Sequence, residues 1–227
     1  MKSFYLTDTG RVREHNEDSV TILKNISGEY LCVVADGMGG HRKGEVASAL
    51  TVAHLGKRFT ESASIGTKID AVNWLSDNIN EINKEILNYG EENENSKGLG
   101  TTVVAAIVTK DFLIFANIGD SSGYVIKNNK LHKVTKPHTL VNLLVDAGDL
   151  TPEQAANHPK KNVLMKALGA AEKCEPDIFD VDNESNAVFL CSDGLTGMLS
   201  DEQIEKVLLD SDCLLYTSPS PRDAHES

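Results

Sequence analysis

A layered α+β domain, not a doubly wound parallel sheet, is the fold this sequence predicts, and three observations carry the prediction. Short apolar runs and helical patterns follow one another in imperfect alternation, as runs of each kind and not as a regular strand-helix repeat. Several apolar runs are joined by turn chemistry at hairpin distance, which favours antiparallel neighbours. The length, 227 residues, fits one domain of ordinary size with a sizeable core and leaves little room for a second.

The elements follow in chain order. Tyr30-Leu31-Cys32-Val33-Val34-Ala35 is a compact, partly β-branched run and reads as a buried strand. Helical periodicity spans Gly44 to Phe59, with Val46, Leu50 and Ala53 expected on one face. A clearer helix is predicted from about Asp70 to Leu87, where Val72, Leu75, Ile79, Ile82 and Ile86 step by three and four into one apolar stripe. The run from Glu91 to Ser96 reads as a solvated loop. Thr101 to Val108 and Phe112 to Ile118 are predicted strands turning at Asp111, and Tyr124 to Ile126 with Leu131 to Val134 form a further hairpin around Asn128-Asn129. Thr151-Pro152-Glu153-Gln154 opens a helix, with a Thr cap, Pro at the first position and Gln three residues after the cap. Ala187 to Cys191 is another buried strand, and Ser200-Asp201-Glu202-Gln203 is a second capping box, opening a helix through Leu209. No internal repeat is present. From Cys213 on, the Ser-Pro-rich tail continues neither period and reads as foreign or disordered sequence.

Composition narrows the function. Hydrophobic residues make up 40% and charged residues 25%, the balance of a soluble globular chain. Asp and Glu outnumber Lys and Arg by 34 to 22, a formal net charge of -12, so nucleic acid is an unsuitable partner. A phosphorylated substrate would also be repelled unless bound divalent cations inverted the local field. The four cysteines form no C-x-x-C pair, which argues for buried free thiols in a reducing compartment and against a zinc site. No secretory leader and no membrane-crossing stretch is legible, so a cytoplasmic location is expected.

Three apolar strands end in an Asp beside a Gly: Val33 to Gly37 with Asp36, Ala116 to Asp120, and Phe189 to Gly194 with Asp193. Taken singly, each is ordinary turn chemistry. That reading weakens at Asp36, where Gly37-Met38-Gly39-Gly40 and a helix follow, and at Asp193, where another helix follows. Carboxylates at the ends of buried strands can converge in one cleft, and hard divalent ions need such oxygen ligands; Gly37 would also let a backbone carbonyl approach an ion. The glycine-rich loop fits neither nucleotide-binding pattern, because Arg42 stands where G-x-G-x-x-G needs glycine and Glu45 where a P-loop needs Lys. Near the start, Arg13 is a candidate to grip two phosphate oxygens, and Glu17 and Asp18 could hold metal-bound waters; a polar surface segment is the plain alternative.

These residues carry a resemblance. Arg13-x-x-Asn16-Glu17-Asp18, Asp36-Gly37-Met38-Gly39-Gly40-His41-x-x-Gly44-Glu45, Gly98 to Thr102, Asn117 to Ser121, His158 to Leu164, Ala167 to Gly169 and Ser192-Asp193-Gly194 resemble, in order, the motifs of bacterial metal-dependent protein phosphatases of the 2C (PPM) type. The resemblance spans roughly residues 1 to 210. It implies a four-layer α-β-β-α sandwich, with two central antiparallel sheets flanked by helix pairs. It also implies two Mn2+ or Mg2+ ions, with Asp36 bridging both, the Gly37 carbonyl and Asp193 each on one, and Asp120 on a third, weaker site. The implied reaction is hydrolysis of phosphoserine or phosphothreonine in proteins by a metal-bridging hydroxide, opposing a Ser/Thr kinase, in a monomeric enzyme. Arg13 would position the phosphoryl group. His41 would donate a proton to the leaving oxygen, or equally cap the helix that follows.

The sequence departs from the family pattern in three places. Ser122 stands where the family usually has Arg, and Pro137-His138-Thr139 where it often has Asp-His-Ser; both changes are expected near the flap region. The closing Gly-x-Asp-Asn motif, whose Asp ligates metal, has no counterpart after Asp193. A catalytic domain over 1–211, incomplete at its C-terminus, with a non-native or disordered tail over 212–227, is therefore expected. The missing Asp also leaves open a non-catalytic phosphoprotein-binding module.

Overall fold

A computed structural model describes residues 2–11, 13–39, 43–93, 98–182 and 184–210. The strands are β1 (Asp18–Lys24), β2 (Tyr30–Met38), β3 (Gly100–Thr101), β4 (Val103–Val108), β5 (Leu113–Ile118), β6 (Ser122–Lys127), β7 (Lys130–Lys133), β8 (Asp177–Val181) and β9 (Ala187–Cys191). The helices are α1 (Lys43–Glu61), α2 (Lys68–Glu92), α3 (Leu140–Asp146), α4 (Pro152–Ala156), α5 (Asp193–Thr196) and α6 (Asp201–Asp210). One sheet runs β1-β2-β4-β5-β8 with β3 beside β2, the other β7-β6-β9, and every pairing is antiparallel.

Side-chain alternation assembles the layers. On β2, β4 and β5, Leu31, Val33, Val103, Ala105, Ile107, Ile114 and Ala116 enter the core beneath α1 and α2. The intervening Cys32, Ala106, Leu113 and Phe115 face the second sheet, where Val125, Val188 and Leu190 meet them. Strands buried on both faces read as near-continuous apolar runs, which is why these were visible in the sequence. Beyond the second sheet, α6 is tied down by the Tyr124 hydroxyl donating to Asp201 at 2.9 Å and by the Leu131 N–H donating to Glu205 at 2.6 Å.

Most predicted elements form within a residue or two of their expected bounds. Asn128 and Asn129 take φ of 53° and 54°, the left-handed pair a tight hairpin turn requires. The Thr151 and Ser200 capping boxes both close. Four elements are not among those the sequence predicts: β1, α3, β8 and the short α5. The first helix also buries a different face. Ala53 is exposed and Val46 and Leu50 are half-buried, while Ala47, Ser48, Thr51, Leu55 and Phe59 face inward. Two buried hydroxyls disguise that stripe: Ser48 donates to the Glu17 carbonyl at 2.6 Å and Thr51 to the Ala47 carbonyl at 2.9 Å. The second helix extends through Glu92, so Glu91 and Glu92 belong to its last turn and not to a loop. Ser122 is buried at the start of β6. The expected tail over 212–227 lies outside the described residues. No described helix is long and apolar enough to cross a membrane.

One contact sets where the first helix meets β2. A Cβ on Gly37 would lie 2.1 Å from the Gly44 carbonyl oxygen, and one on Gly44 would lie 2.5 Å from the Gly37 carbonyl carbon. Both neighbours are backbone and cannot step aside. In an open helix position Gly44→Ala would stabilise by about 1 kcal/mol. Here it is expected to destabilise by about 2 kcal/mol, as overpacking outweighs propensity. Urea denaturation checks the sign; a gain in stability would refute the close approach.

Candidate active site

Three Asp-bearing strand ends come together at one end of the two sheets. Asp36 sits in β2 opposite Asp18 of β1 and shares the parity of Cys32, which faces the second sheet. Its backbone is clamped. The Asp36 N–H donates to Thr102 Oγ1 at 3.0 Å, and its carbonyl accepts from the Thr102 N–H and from Thr101 Oγ1, both at 2.9 Å. Thr102 Oγ1 also lies 2.7 Å from Ser121 Oγ, beside Asp120. Gly119, with φ of 100°, leads into Asp120; a Cβ there would fall 2.5 Å from Thr102 Cγ2. Asp193 opens α5 after β9, and Ser122 pairs with Cys191, which brings the chain after Asp120 alongside the chain before Asp193.

The cleft so formed has a volume of about 270 Å³ and is lined by Arg13, Glu17, Asp36, Gly37, Asp120 and Asp193, with Asn162 and Leu164 contributed by a later segment. Arg13 is the cation among the described lining residues. Glu17 acts on the fold through its backbone, its carbonyl accepting from the Gly37 N–H at 3.0 Å. Asp18 is held by the Ser192 hydroxyl, which donates to Oδ2 at 2.7 Å. The structure therefore gathers seven of the eight residues singled out from the sequence; the eighth, His41, lies outside the described residues. Asn162 and Leu164 went unassigned, because a polar loop residue and a half-buried leucine carry no chemical signal of their own.

Electrostatics mark the cleft as unbalanced. Burial first, then the charges of Asp18 and Asp193, a hydrogen bond with Asp193 and the charge of Asp120 push the Asp36 carboxyl from its ordinary 3.8 up to about 9. Burial and Asp193 raise Asp120 to about 6, with Lys133 working the other way. Carboxylates crowded in this way are relieved by a bound cation, and carboxylate and carbonyl oxygens are the donors that Mn2+ and Mg2+ prefer. No three described His, Cys, Asp or Glu side chains stand at ligand spacing, so the fit rests on the hydrogen-bonded Asp36–Asp193 pair, with Gly37 in the lining of the same cleft.

A family model for protein phosphatase 2C matches residues 9–216. The chain belongs to the protein phosphatase 2C family. It is 42% identical over 209 residues to the serine/threonine phosphatase stp of Listeria monocytogenes, covering 92% of this chain and 83% of that one. To the protein phosphatase PhpP of Streptococcus pneumoniae it is 38% identical over 213 residues, covering 92% and 84%. Among solved structures, the serine/threonine phosphatase Stp1 from Staphylococcus aureus superposes with a TM-score of 0.85 at 39% identity, covering 92% and 82%. The catalytic domain of the serine threonine protein phosphatase PstP, in complex with two manganese ions, superposes with a TM-score of 0.75 at 32% identity, covering 96% and 84%. For this phosphatase 2C chain the α+β reading holds, with two antiparallel sheets stacked against helices.

The raised carboxyls make a pH prediction. In the unfolded chain Asp36 ionises near 3.8, while the folded chain holds the proton to about 9, so the folded state binds more protons between those values. Stability of the metal-free protein is therefore expected to fall as pH rises from about 5 to about 9. Thermal melts are expected to show a declining Tm that Asp36→Asn flattens and that Mn2+ restores most at the alkaline end. A Tm independent of pH in the metal-free wild type would contradict the crowding.

Proposed function

We propose that this phosphatase 2C chain hydrolyses phosphoserine and phosphothreonine in proteins, with two Mn2+ or Mg2+ ions held in the Asp36 cleft. The observation that carries the proposal is the meeting of Asp36 with Asp18, Asp120 and Asp193 in a cleft that also holds Arg13. Family membership and the metal-bearing PstP structure support it. When bound, the cations would acidify a water molecule and offset the charge of the phosphoryl group.

The protein's own residues divide the remaining work. Asp36, the Gly37 carbonyl and Asp193 would hold the two ions, and Asp120 a third, weaker one; Glu17 and Asp18 would orient waters around them. Arg13, which lines the same cleft as these carboxylates, would grip two phosphoryl oxygens with its planar fork and so fix the phosphorus for in-line attack. His41 is proposed as proton donor to the leaving serine or threonine oxygen. The catalytic unit is proposed to span 1–211; the family match over 9–216, which covers nearly all of it, supports this. Its substrates are products of protein Ser/Thr phosphorylation, hence of a kinase, and it is proposed to act as a cytoplasmic monomer.

A second reading, a phosphoprotein-binding module without turnover, is favoured by one observation: no three described carboxylates stand at ligand spacing. Phosphate release from a phosphothreonine peptide separates the two. Release is expected with Mn2+ and not after chelation. Asp36→Asn is expected to lose activity about 100-fold or more, since a ligand matters at least as much as the groups that orient one. Arg13→Ala is expected to raise KM about tenfold with bound metal unchanged, the worth of a charge-assisted hydrogen bond. Full turnover by Asp36→Asn would sink the two-metal assignment; Mn2+ binding without any turnover would favour the module.

A further inference from the structure

His138 stands in one of the stretches where this chain departs from its family's pattern, and its position has chemical content. Its side chain is only 10% exposed, and its polar groups reach three separate parts of the chain. The backbone N–H donates to the Gly119 carbonyl at 2.9 Å, and ring Nδ1 accepts from the Gly119 N–H at 3.1 Å. The His138 carbonyl accepts from the Met165 N–H at 2.8 Å. Nε2 lies 3.1 Å from Asp177 Oδ2. A backbone N–H can only donate, so Nδ1 carries no proton and the ring proton sits on Nε2, toward Asp177.

Two features of the cleft meet at this ring. On one side, Gly119 is the left-handed residue that leads into Asp120, and the Asn117 side-chain amide holds its carbonyl from a second direction at 3.2 Å. On the other side, the segment from 138 to 165 carries α3, α4 and the lining residues Asn162 and Leu164. That segment closes on itself at the same end: Met165 returns to His138, Leu140 N–H donates to the Val163 carbonyl at 2.8 Å, and Thr139 bridges Leu164.

We infer that His138 is a positioning residue that locks the Gly119–Asp120 turn to the base of the 138–165 segment, holding Asp120 in register with the cleft wall formed by Asn162 and Leu164. The lock is the reciprocal pair between His138 and Gly119, and its ring half depends on an unprotonated acceptor at the Nδ1 position. The inference rests on the phosphatase reading only where it concerns turnover.

Two variants separate the ring's nitrogens. His138→Asn places Oδ1 where Nδ1 was and keeps the acceptor; His138→Gln places an amide nitrogen where Nε2 was and loses it. Hydrogen exchange of the Gly119 amide, measured on the metal-free full chain, is expected to speed up about fivefold or more in His138→Gln and to stay at the wild-type rate in His138→Asn. With a phosphothreonine peptide, the Mn2+ concentration for half-maximal turnover is expected to rise about fivefold in His138→Gln and to return to the wild-type value in His138→Asn. A ring that merely fills space would make the two variants alike, and equal behaviour in both readouts overturns the assignment. If the Gln variant does not fold, fast Gly119 exchange in folded His138→Asn overturns it equally. Should the wild-type chain show no turnover, the phosphatase reading falls, and Gly119 exchange alone decides the role of His138 by the same comparison.

Discussion

Four aspartates of like charge are brought together at one end of two stacked sheets, and much of the surrounding structure is arranged to keep them there. Asp18 and Asp36 face each other across a strand pair, Asp36 and Asp193 share a hydrogen bond, and Asp120 adds its charge to the same neighbourhood. Left to themselves in a half-buried cleft, such groups would spread apart or take up protons. Here hydroxyl clamps and a glycine turn prevent the first: Thr101 and Thr102 hold the Asp36 backbone from both sides, the Ser192 hydroxyl holds Asp18, and Gly119 turns the chain into Asp120. The second is what the raised carboxyls record.

The apolar architecture serves that end. Two cores, one beneath α1 and α2 and one between the sheets, fix the strands whose ends carry the aspartates. Gly37 and Gly44 bring the first helix against β2 with no side chain between them, so the helix and the Gly37 backbone in the cleft wall are set by one backbone contact. Hydrophobic burial supplies the driving force and is indifferent to the charges. The polar clamps cost little once the sheets have formed, because nearly all of them join backbone groups that must be satisfied anyway.

Much of this was legible in the sequence, for physical reasons that differ by residue. β2, β4 and β5 are buried on both faces, so their apolar runs stand out. The Asn128-Asn129 turn and the Thr151 cap announce themselves by chemistry. β1 did not, because its residues are only half-buried and its opening Asp18 read as part of a polar segment. β8 likewise carries Asp177 and Asp180 on a partly exposed strand. The first helix was found but its buried face was not, since Ser48 and Thr51 hide their burial behind hydroxyls. In the cleft, Asp36, Asp120 and Asp193 were visible as strand-end carboxylates, whereas Asn162 and Leu164 enter it only through the closure of the 138–165 segment on itself, a long-range fact that no local pattern encodes.

The central claim is that the crowded carboxylates are a cation site whose charge is completed by metal. Proton release on Mn2+ binding tests it most directly, measured by titration calorimetry at about pH 8 in buffers of different ionisation enthalpy. Because Asp36 keeps its proton to about 9, metal binding at that pH is expected to expel about one proton per chain, and Asp36→Asn to abolish the release. Binding of Mn2+ with no proton released by the wild-type protein would contradict the account.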